Sequence, residues 1–225
     1  MSRMGNGAKM FTDSIIQTAT SRVIGNSFLR KFANGEIRDP EVIRRWALAR
    51  YFSSSRFPVL VEGAIRACGD QDSALTRVLE QNLRDELRPI PHPEMFRRFL
   101  LSLDIPREEY EAYLRTNGAT TYPANVIEIM GTKPETIAAV MLVIEVMIGA
   151  ECKEVAKGLR AVYGDTLNLQ FFDFHAVQDL TTHLRPFQRI VASYAVDEEK
   201  RGEIDAVVMP TIDTKLSFYG QFNVR

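Results

Sequence analysis

The sequence has few of the residues and patterns that mark disulfide-rich or membrane proteins. Its only cysteines are Cys68 and Cys152, too few for a disulfide framework, so we expect a reducing, cytoplasmic location. The longest apolar runs are interrupted by Glu62, Glu145 and Glu151, which makes a membrane span unexpected. The first residues also lack the apolar core of a signal peptide.

There is no excess of charge of either sign. The formal net charge is -1 at pH 7, with 28 basic and 29 acidic residues. Nucleic acids and anionic membranes are bound by basic surfaces, so we expect neither as a partner. A length of 225 residues is enough to bury a full core, and we predict a single domain over residues 1–225.

Helical periodicity, by contrast, is abundant, and no alternating strand pattern accompanies it. Aspartates at 39 and 72 are in position to cap helices. The sequence therefore predicts an all-α bundle of seven or more helices. The predicted helices run over residues 13–33, 40–68, 73–87, 94–103, 106–113, 132–163, 168–194 and 198–218.

Two of the three histidines lie on one predicted helix. His175, Asp179 and His183 follow one another at steps of four, and each step turns a helical position by only about 40°, so the three share one stripe. Buried ionisable groups need partners, and one cation can serve several of them. The stripe alone leaves two interpretations open: a metal site, or a half-exposed polar face with incidental histidines.

Two further segments supply carboxylates and the third histidine. Glu145 interrupts an almost entirely apolar helix, where its charge needs a metal or a structural salt bridge to an arginine. Glu86 and His92 flank a proline-rich turn, so they can converge on one point. The alternative is that Asp85 and Glu86 are a solvated pair and His92 is a turn residue. Together the three segments contain every histidine of the sequence. Their imidazole and carboxylate groups favour a pair of borderline cations, iron or manganese.

The candidate metal ligands are Glu86, His92, Glu145, His175, Asp179 and His183. Their order resembles that of the heme-oxygenase-like diiron oxidases and oxygenases, and the resemblance covers most of the chain. It implies an all-α, heme-oxygenase-like bundle of about seven helices with two non-heme irons and O2 as co-substrate. It also implies catalytic roles for Glu145 and Asp179, one of which would alternate between bridging and terminal binding.

The spacing of the last two ligands departs from that family. Its members usually separate the aspartate and the histidine by two residues, whereas three residues separate Asp179 from His183, and Thr182 holds the usual position. One interpretation is that the second iron lacks this ligand and is labile. The other is a π-bulge that brings His183 onto the ligand face, which Pro186 favours because it removes the hydrogen bond to the carbonyl of Thr182.

The resemblance also implies a class of substrate. Family members oxidise small carboxylates, amino acids or their amines by N-oxygenation, desaturation or oxidative C–C or C–N cleavage, many in natural-product biosynthesis. By proximity in sequence, Arg84, Arg160 and Arg185 are candidates to bind a substrate carboxylate, although each is better explained as a surface or ion-pair residue. We expect a small-molecule substrate; an external electron source and a homodimer are compatible with this interpretation.

Two rival functions stay open at this point. A metal-free member of the same fold could be a cofactorless oxidase or a thiamin-degrading hydrolase that uses Cys152, which lies seven residues beyond Glu145. The other rival is a non-catalytic helical interaction protein whose histidines are incidental.

Overall fold

A computed structural model describes residues 6–116, 121–178 and 182–222, without the side chains of residues 121–123 and 178. These residues form helices and connecting turns, and they contain no strand, as the sequence predicts. Within them, no helix is both long enough and apolar enough to cross a membrane. The helices are α1 (Asn6–Ile24), α2 (Ser27–Ala33), α3 (Pro40–Cys68), α4 (Ser73–Leu87), α5 (His92–Ser102), α6 (Arg107–Thr116), α7 (Thr121–Met130), α8 (Pro134–Tyr163), α9 (Gln170–Gln178), α10 (Leu184–Tyr194) and α11 (Glu198–Gly220).

Helix α8 lies at the centre of the bundle. Helices α1, α2, α9, α10 and α11 all pack against it, and every residue from Glu135 to Met147 is buried. A helix that is apolar nearly all round is expected to be surrounded in this way. The consequence is that Glu145 and Glu151 lie in the core, at 1% and 0% exposure.

Two helix starts follow the predicted capping. Asp39 accepts a hydrogen bond from the backbone N–H of Glu41 at the start of α3. Asp72 accepts from two backbone N–H groups in the first turn of α4. Each cap accepts hydrogen bonds from backbone N–H groups that have no partner inside the helix. The capping residue therefore determines where the helix begins.

The described residues form eleven helices, more than the predicted seven or so, because two predicted helices are divided and α7 lies in a segment for which no helix is predicted. The first is broken after Ile24, where the Asn26 side chain accepts from the N–H groups of Phe28 and Leu29 and starts α2. The predicted helix over 168–194 forms α9 and α10. Pro186 lies in the first turn of α10, the part of a helix in which proline is tolerated.

Aromatic rings join α3, α5 and α9 and set the position of two histidines. Phe96 of α5 packs on Phe171 of α9 with ring centroids 4.8 Å apart. Trp46 of α3 stacks on Phe172 at 6.0 Å. Because this packing fixes α5 against α9, the rings of His92 and His175 meet edge to face with their centroids 4.5 Å apart.

The contact between α2 and α8 provides a test of this packing. A Cβ at Gly158 would lie 1.9 Å from the carbonyl oxygen of Phe32. We predict that Gly158→Ala lowers the free energy of unfolding by about 1–3 kcal/mol, since α2 must move away. The matched control is Gly202→Ala on α11, where a Cβ meets nothing within 4 Å and alanine stabilises a helix. Urea unfolding of both variants checks the difference, and equal midpoints would contradict the packing described here.

Candidate metal centre

One carboxylate and two imidazoles converge at the end of α4 and on α5 and α9. Glu86, His92 and His175 are each at most 3% exposed, and one potential ligand atom from each lies within 4.8 Å of the others. The Nδ1 atom of His92 is 2.9 Å from Oε2 of Glu86. Two ligands bonded to one ion at about 2.1 Å are about 3 Å apart at a right angle, so this spacing suits a shared metal.

The hydrogen bonding of His175 leaves one ring nitrogen available. Its Nδ1 lies 2.7 Å from the carbonyl oxygen of Phe171, and a carbonyl only accepts, so Nδ1 carries the hydrogen and Nε2 carries a lone pair. Metal-binding histidines are typically oriented in this way. Burial lowers the pKa of His175 well below its usual value, and the neighbouring His92 lowers it further. Both effects keep the imidazole neutral, the form that binds metals.

The ring of His92 supports the same conclusion. Neither of its buried ring nitrogens has a hydrogen bond of good geometry among the described residues. A buried polar atom without a partner is costly, and a cation is one way to satisfy it. Neutral imidazole nitrogens with carboxylate oxygens form a donor set that suits iron, manganese or zinc. The residues present therefore fit a metal ion.

A second group of possible ligands surrounds Glu145 on α8. Its Oε1 accepts a hydrogen bond of 2.8 Å from the side-chain amide of Asn82. Its Oε2 lies 3.5 Å from Nδ1 of His183, and Nε2 of the same ring lies 3.4 Å from Oδ2 of Asp85. Among the described residues Glu145 has no arginine partner, so the salt-bridge alternative is not supported.

The backbone around His183 has the predicted irregularity. Thr182 and His183 form a π-helical turn immediately before α10, and the His183 side chain is 4% exposed. A π turn contains an extra residue, and His183 faces Glu145 despite the longer spacing. Asp179 lies outside the described residues, so its role as a ligand stays a prediction.

A small cavity of about 20 Å³ borders both groups of residues. Glu86, Glu145, His175, Arg50 and Lys215 all contribute to its lining. The space holds about one or two water molecules. The remaining lining residues are Ser53, Ser54, Phe57, Ile148 and Phe171.

Sequence reasoning missed several polar residues of this region. Asp85 adjoins Glu86 and has the sequence pattern of a solvated pair, yet its Oδ2 lies 3.4 Å from Nε2 of His183. Asn82, one helical turn before Glu86, was not considered, although its spacing of four residues places both on one face. Arg50 and Lys215 are distant from every predicted ligand in sequence and have no local signal.

The arginines suggested by sequence proximity lie elsewhere. Arg84 is exposed and pairs with Glu80. Arg160 forms a surface ion pair with Asp173, and Arg185 is also exposed. None of the three lines the cavity, so the alternative of surface or ion-pair residues is confirmed for Arg84 and Arg160.

The amide of Asn82 generates a prediction about the second group. Asn82→Leu keeps the side-chain volume and removes the hydrogen bond to Glu145. Since a buried carboxylate then lacks a donor, we expect a loss of about 1–3 kcal/mol of stability in metal-free protein and about 10–100-fold weaker binding of one metal ion. Thermal unfolding and anaerobic Fe(II) titration measure the two effects. Gln170→Leu, which changes an exposed amide on α9, is the control, and the same response in both variants would rule out a specific role for Asn82.

Comparisons with known proteins agree with the fold and with a metal. A family model described as an iron-containing redox enzyme matches residues 44–209. A CADD-like protein of unknown function from Nostoc punctiforme has a similar structure, with 16% sequence identity, a TM-score of 0.75 and 97% of each chain covered. A TenA homolog from Pseudomonas syringae pv. tomato has 14% identity, a TM-score of 0.70, and 94% of this chain and 90% of its own chain covered. The all-α, heme-oxygenase-like fold is thereby confirmed. No curated protein matches the sequence.

Proposed function

Because the chain belongs to the family of iron-containing redox enzymes, we propose that it binds two irons and uses O2 to oxidise a small substrate. The substrate class is amino-acid-like molecules or carboxylates, and the reaction is N-oxygenation, desaturation or oxidative C–C or C–N cleavage. The observation that carries the proposal is the buried group of Glu86, His92 and His175, whose ligand atoms lie within 4.8 Å of one another.

The residues divide into two ligand sets. Glu86, His92 and His175 would hold the first iron, and His183 would hold the second. Glu145 lies beside His183 and borders the same cavity as Glu86 and His175, which is the position expected of a shared carboxylate. Asp179 is proposed as a further ligand from its place in the sequence.

The surrounding protein prepares these ligands for oxidation chemistry. When bound, iron supplies electrons and open coordination positions for dioxygen. The carbonyl of Phe171 orients His175, and the amide of Asn82 holds one oxygen of Glu145. The ring of Phe171 packs against His175, and the ring of Phe174 packs against both His92 and His175, so aromatic rings shield the first ligand set from bulk solvent.

Anaerobic iron loading followed by exposure to O2 tests this function. We predict that the wild type binds two Fe(II) ions, and that one class of amino acid or fatty acid accelerates O2 consumption and a transient visible absorption band. His175→Ala should not bind the first ion. Its rate of O2 consumption should fall by more than the roughly 10–100-fold that is typical when a residue hydrogen-bonded to a metal ligand is replaced. His183→Ala should retain one ion.

Asp173→Ala provides the matched control, because Asp173 is an exposed carboxylate on the same helix as His175. It should bind iron and consume O2 like the wild type. If His175→Ala binds as much iron as this control, the assignment of the first ligand set is wrong. If manganese binds with the same stoichiometry but supports no O2 consumption, iron is the working metal.

A metal-free hydrolase of the same fold is the second candidate, because a TenA homolog is among the similar structures. Its nucleophile would be Cys152. That thiol is fully buried on α8 and is not among the cavity-lining residues of the described chain, which disfavours attack on a bound substrate. The clustering of all three histidines likewise disfavours an interaction protein with incidental histidines.

Cys152→Ala distinguishes the two enzymes. We predict unchanged iron-dependent O2 consumption, because the thiol does not face the cavity. Thiamin hydrolysis, followed by chromatography on the same metal-free preparations, should be absent from the wild type. Hydrolysis by the wild type that disappears in Cys152→Ala would favour the hydrolase instead.

A further inference from the structure

A groove between α4 and α10 leads to the second group of possible ligands. Its volume of about 570 Å³ lies within the roughly 300–1,000 Å³ of pockets that bind small molecules. Asn82, Asp85 and His183 line the end nearest to the metal centre. Asn82 donates a hydrogen bond to Glu145, and the ring of His183 lies between Glu145 and Asp85. A molecule in the groove would therefore approach the proposed second iron.

The two helices run antiparallel, which makes the groove long. Oδ2 of Asp85 lies 3.4 Å from Nε2 of His183, where α4 ends and α10 begins. At the opposite ends of these helices, the hydroxyl of Tyr194 donates a hydrogen bond of 2.6 Å to Oδ2 of Asp72. Arg77 also lines the groove. It precedes Asp85 by eight residues, or about 12 Å along a helix that rises about 1.5 Å per residue.

The groove is apolar between these two ends. Val78 contributes from α4, and Pro186, Phe187 and Ile190 contribute from α10. Phe187 is fully buried, whereas the other three are half-buried and can still lose contact with water beneath a ligand. Burial of apolar area favours binding, so this section suits the apolar body of a ligand. The uncharged residues that complete the lining are Ala74, Gln81 and Thr182.

Two arginines line the groove, Arg77 from α4 and Arg189 from α10. Both are exposed, and neither is hydrogen-bonded or ion-paired within the part of the chain that the structure describes. The hydrogen bond from Tyr194 is the main cause that lowers the pKa of Asp72, and the charge of Arg77 adds a smaller effect. The guanidinium donors are therefore available to a ligand, and a carboxylate suits their planar, forked geometry.

The charges at the two ends of the groove have opposite signs. Arg77 and Arg189 are positive, and Asp85, with 27% of its side chain exposed, places a negative charge beside His183. The separation of about 12 Å between Arg77 and Asp85 exceeds the Debye length of about 8 Å at physiological ionic strength. The acid therefore does not cancel the attraction of the arginines for an anion. This difference orients a ligand that has one carboxylate.

We propose that the groove binds a carboxylic acid with an elongated apolar body, its carboxylate held by Arg77 and Arg189 and its apolar end beside His183. The proposed contacts involve only residues 74–85 and 183–190, all of which the structure describes. The inference rests on the proposed function for what happens at the metal end, whereas binding of the acid is measurable without metal. It places the carboxylate remote from the irons and the opposite end of the substrate next to them.

Octanoate is a suitable probe because its extended chain is about as long as the distance between the two ends. In metal-free protein at constant ionic strength, isothermal titration calorimetry should show one octanoate bound per chain. Butanoate should bind at least about tenfold more weakly, since it buries fewer methylene groups. Octan-1-ol is a neutral analogue, and inorganic phosphate is an anion without an apolar body. Each should also bind about tenfold more weakly than octanoate.

Variants of the groove locate the bound acid. Arg77→Met/Arg189→Met should weaken octanoate binding by about tenfold and leave octan-1-ol binding unchanged. The control is Arg185→Met, at an exposed arginine of α10 outside the groove lining, and it should change neither. Ile190→Trp fills the apolar section and should abolish the binding of both probes. Val78→Trp fills the same section from α4 and is the second variant if Ile190→Trp does not fold.

Octanedioate tests the orientation, because it adds a second carboxylate at the apolar end. That group would lie near Asp85 and Glu145, so octanedioate should bind at least about tenfold more weakly than octanoate. Asp85→Asn should bind octanedioate several-fold more tightly than the wild type does, with little change for octanoate. Equal affinities of the wild type for the two acids would contradict the orientation.

The outcomes separate the groove site from the proposed function. The site is refuted if octan-1-ol or phosphate binds as tightly as octanoate, or if the arginine and tryptophan variants retain the wild-type affinity. A dimer that Ile190→Trp dissociates, without octanoate binding, would also refute it and identify an interface between two copies of this chain. Octanoate binding without iron uptake would refute the diiron function alone. Iron-dependent O2 consumption without octanoate binding would refute the groove site alone.

Discussion

The burial of acidic side chains along α8 is the constraint on which the arrangement of the other helices depends. Glu135, Glu145 and Glu151 are all buried, and an ionised carboxylate in the core costs several kcal/mol unless it is paired or hydrogen-bonded. Each finds partners on other helices. Lys200 of α11 reaches Glu135, Asn82 of α4 reaches Glu145, and residues of α3 and α11 reach Glu151. The polar contacts that compensate the buried charges of α8 therefore also hold the other helices against it.

The surroundings of these three glutamates differ along the helix, and their possible roles differ accordingly. Glu135 near the start of α8 pairs with a partly exposed lysine, so solvent screens the interaction and it contributes little. Glu145 lies deeper and is surrounded by neutral donors and an imidazole, which leaves its charge available to a metal ion. Glu151 is compensated by two cations. Glutamate thus serves as the partner of a partly exposed lysine, as a candidate metal ligand and as a counter-ion, according to its neighbours.

The candidate centre is asymmetric in its access to solvent. Phe171 and Phe174 pack on the histidines of the buried group formed by Glu86, His92 and His175. His183 and Asp85, by contrast, border a groove of about 570 Å³ between α4 and α10. Asp85 is partly exposed, at 27% of its side chain. The two halves of the centre therefore differ in dielectric environment, and ligands in the enclosed half interact more strongly with a charge.

Much of this architecture follows from local features of the sequence. The caps at Asp39 and Asp72 and the apolar run of α8 predict helices that are found where expected, because capping and periodicity act within a few residues. The break between α1 and α2 was missed, since a Gly-Asn pair inside a periodic segment is a weak signal until the Asn26 side chain is seen to cap. The π turn at Thr182 and His183 is one of the two interpretations that the sequence left open, and it too depends on a local hydrogen bond, the one that Pro186 cannot donate.

The sequence by itself determined the all-α class, the central position of α8 and the residues available as metal ligands, because these depend on periodicity and on the scarcity of histidine. Tertiary structure alone decided which side chains share a cavity. Arg50 and Lys215 come from opposite ends of the chain and meet only because α3 and α11 both pack near the same level of α8. Asp85 meets His183 for the same reason, through the contact of α4 with α10. Such meetings depend on helix packing over long separations, for which a single sequence contains no periodic signal.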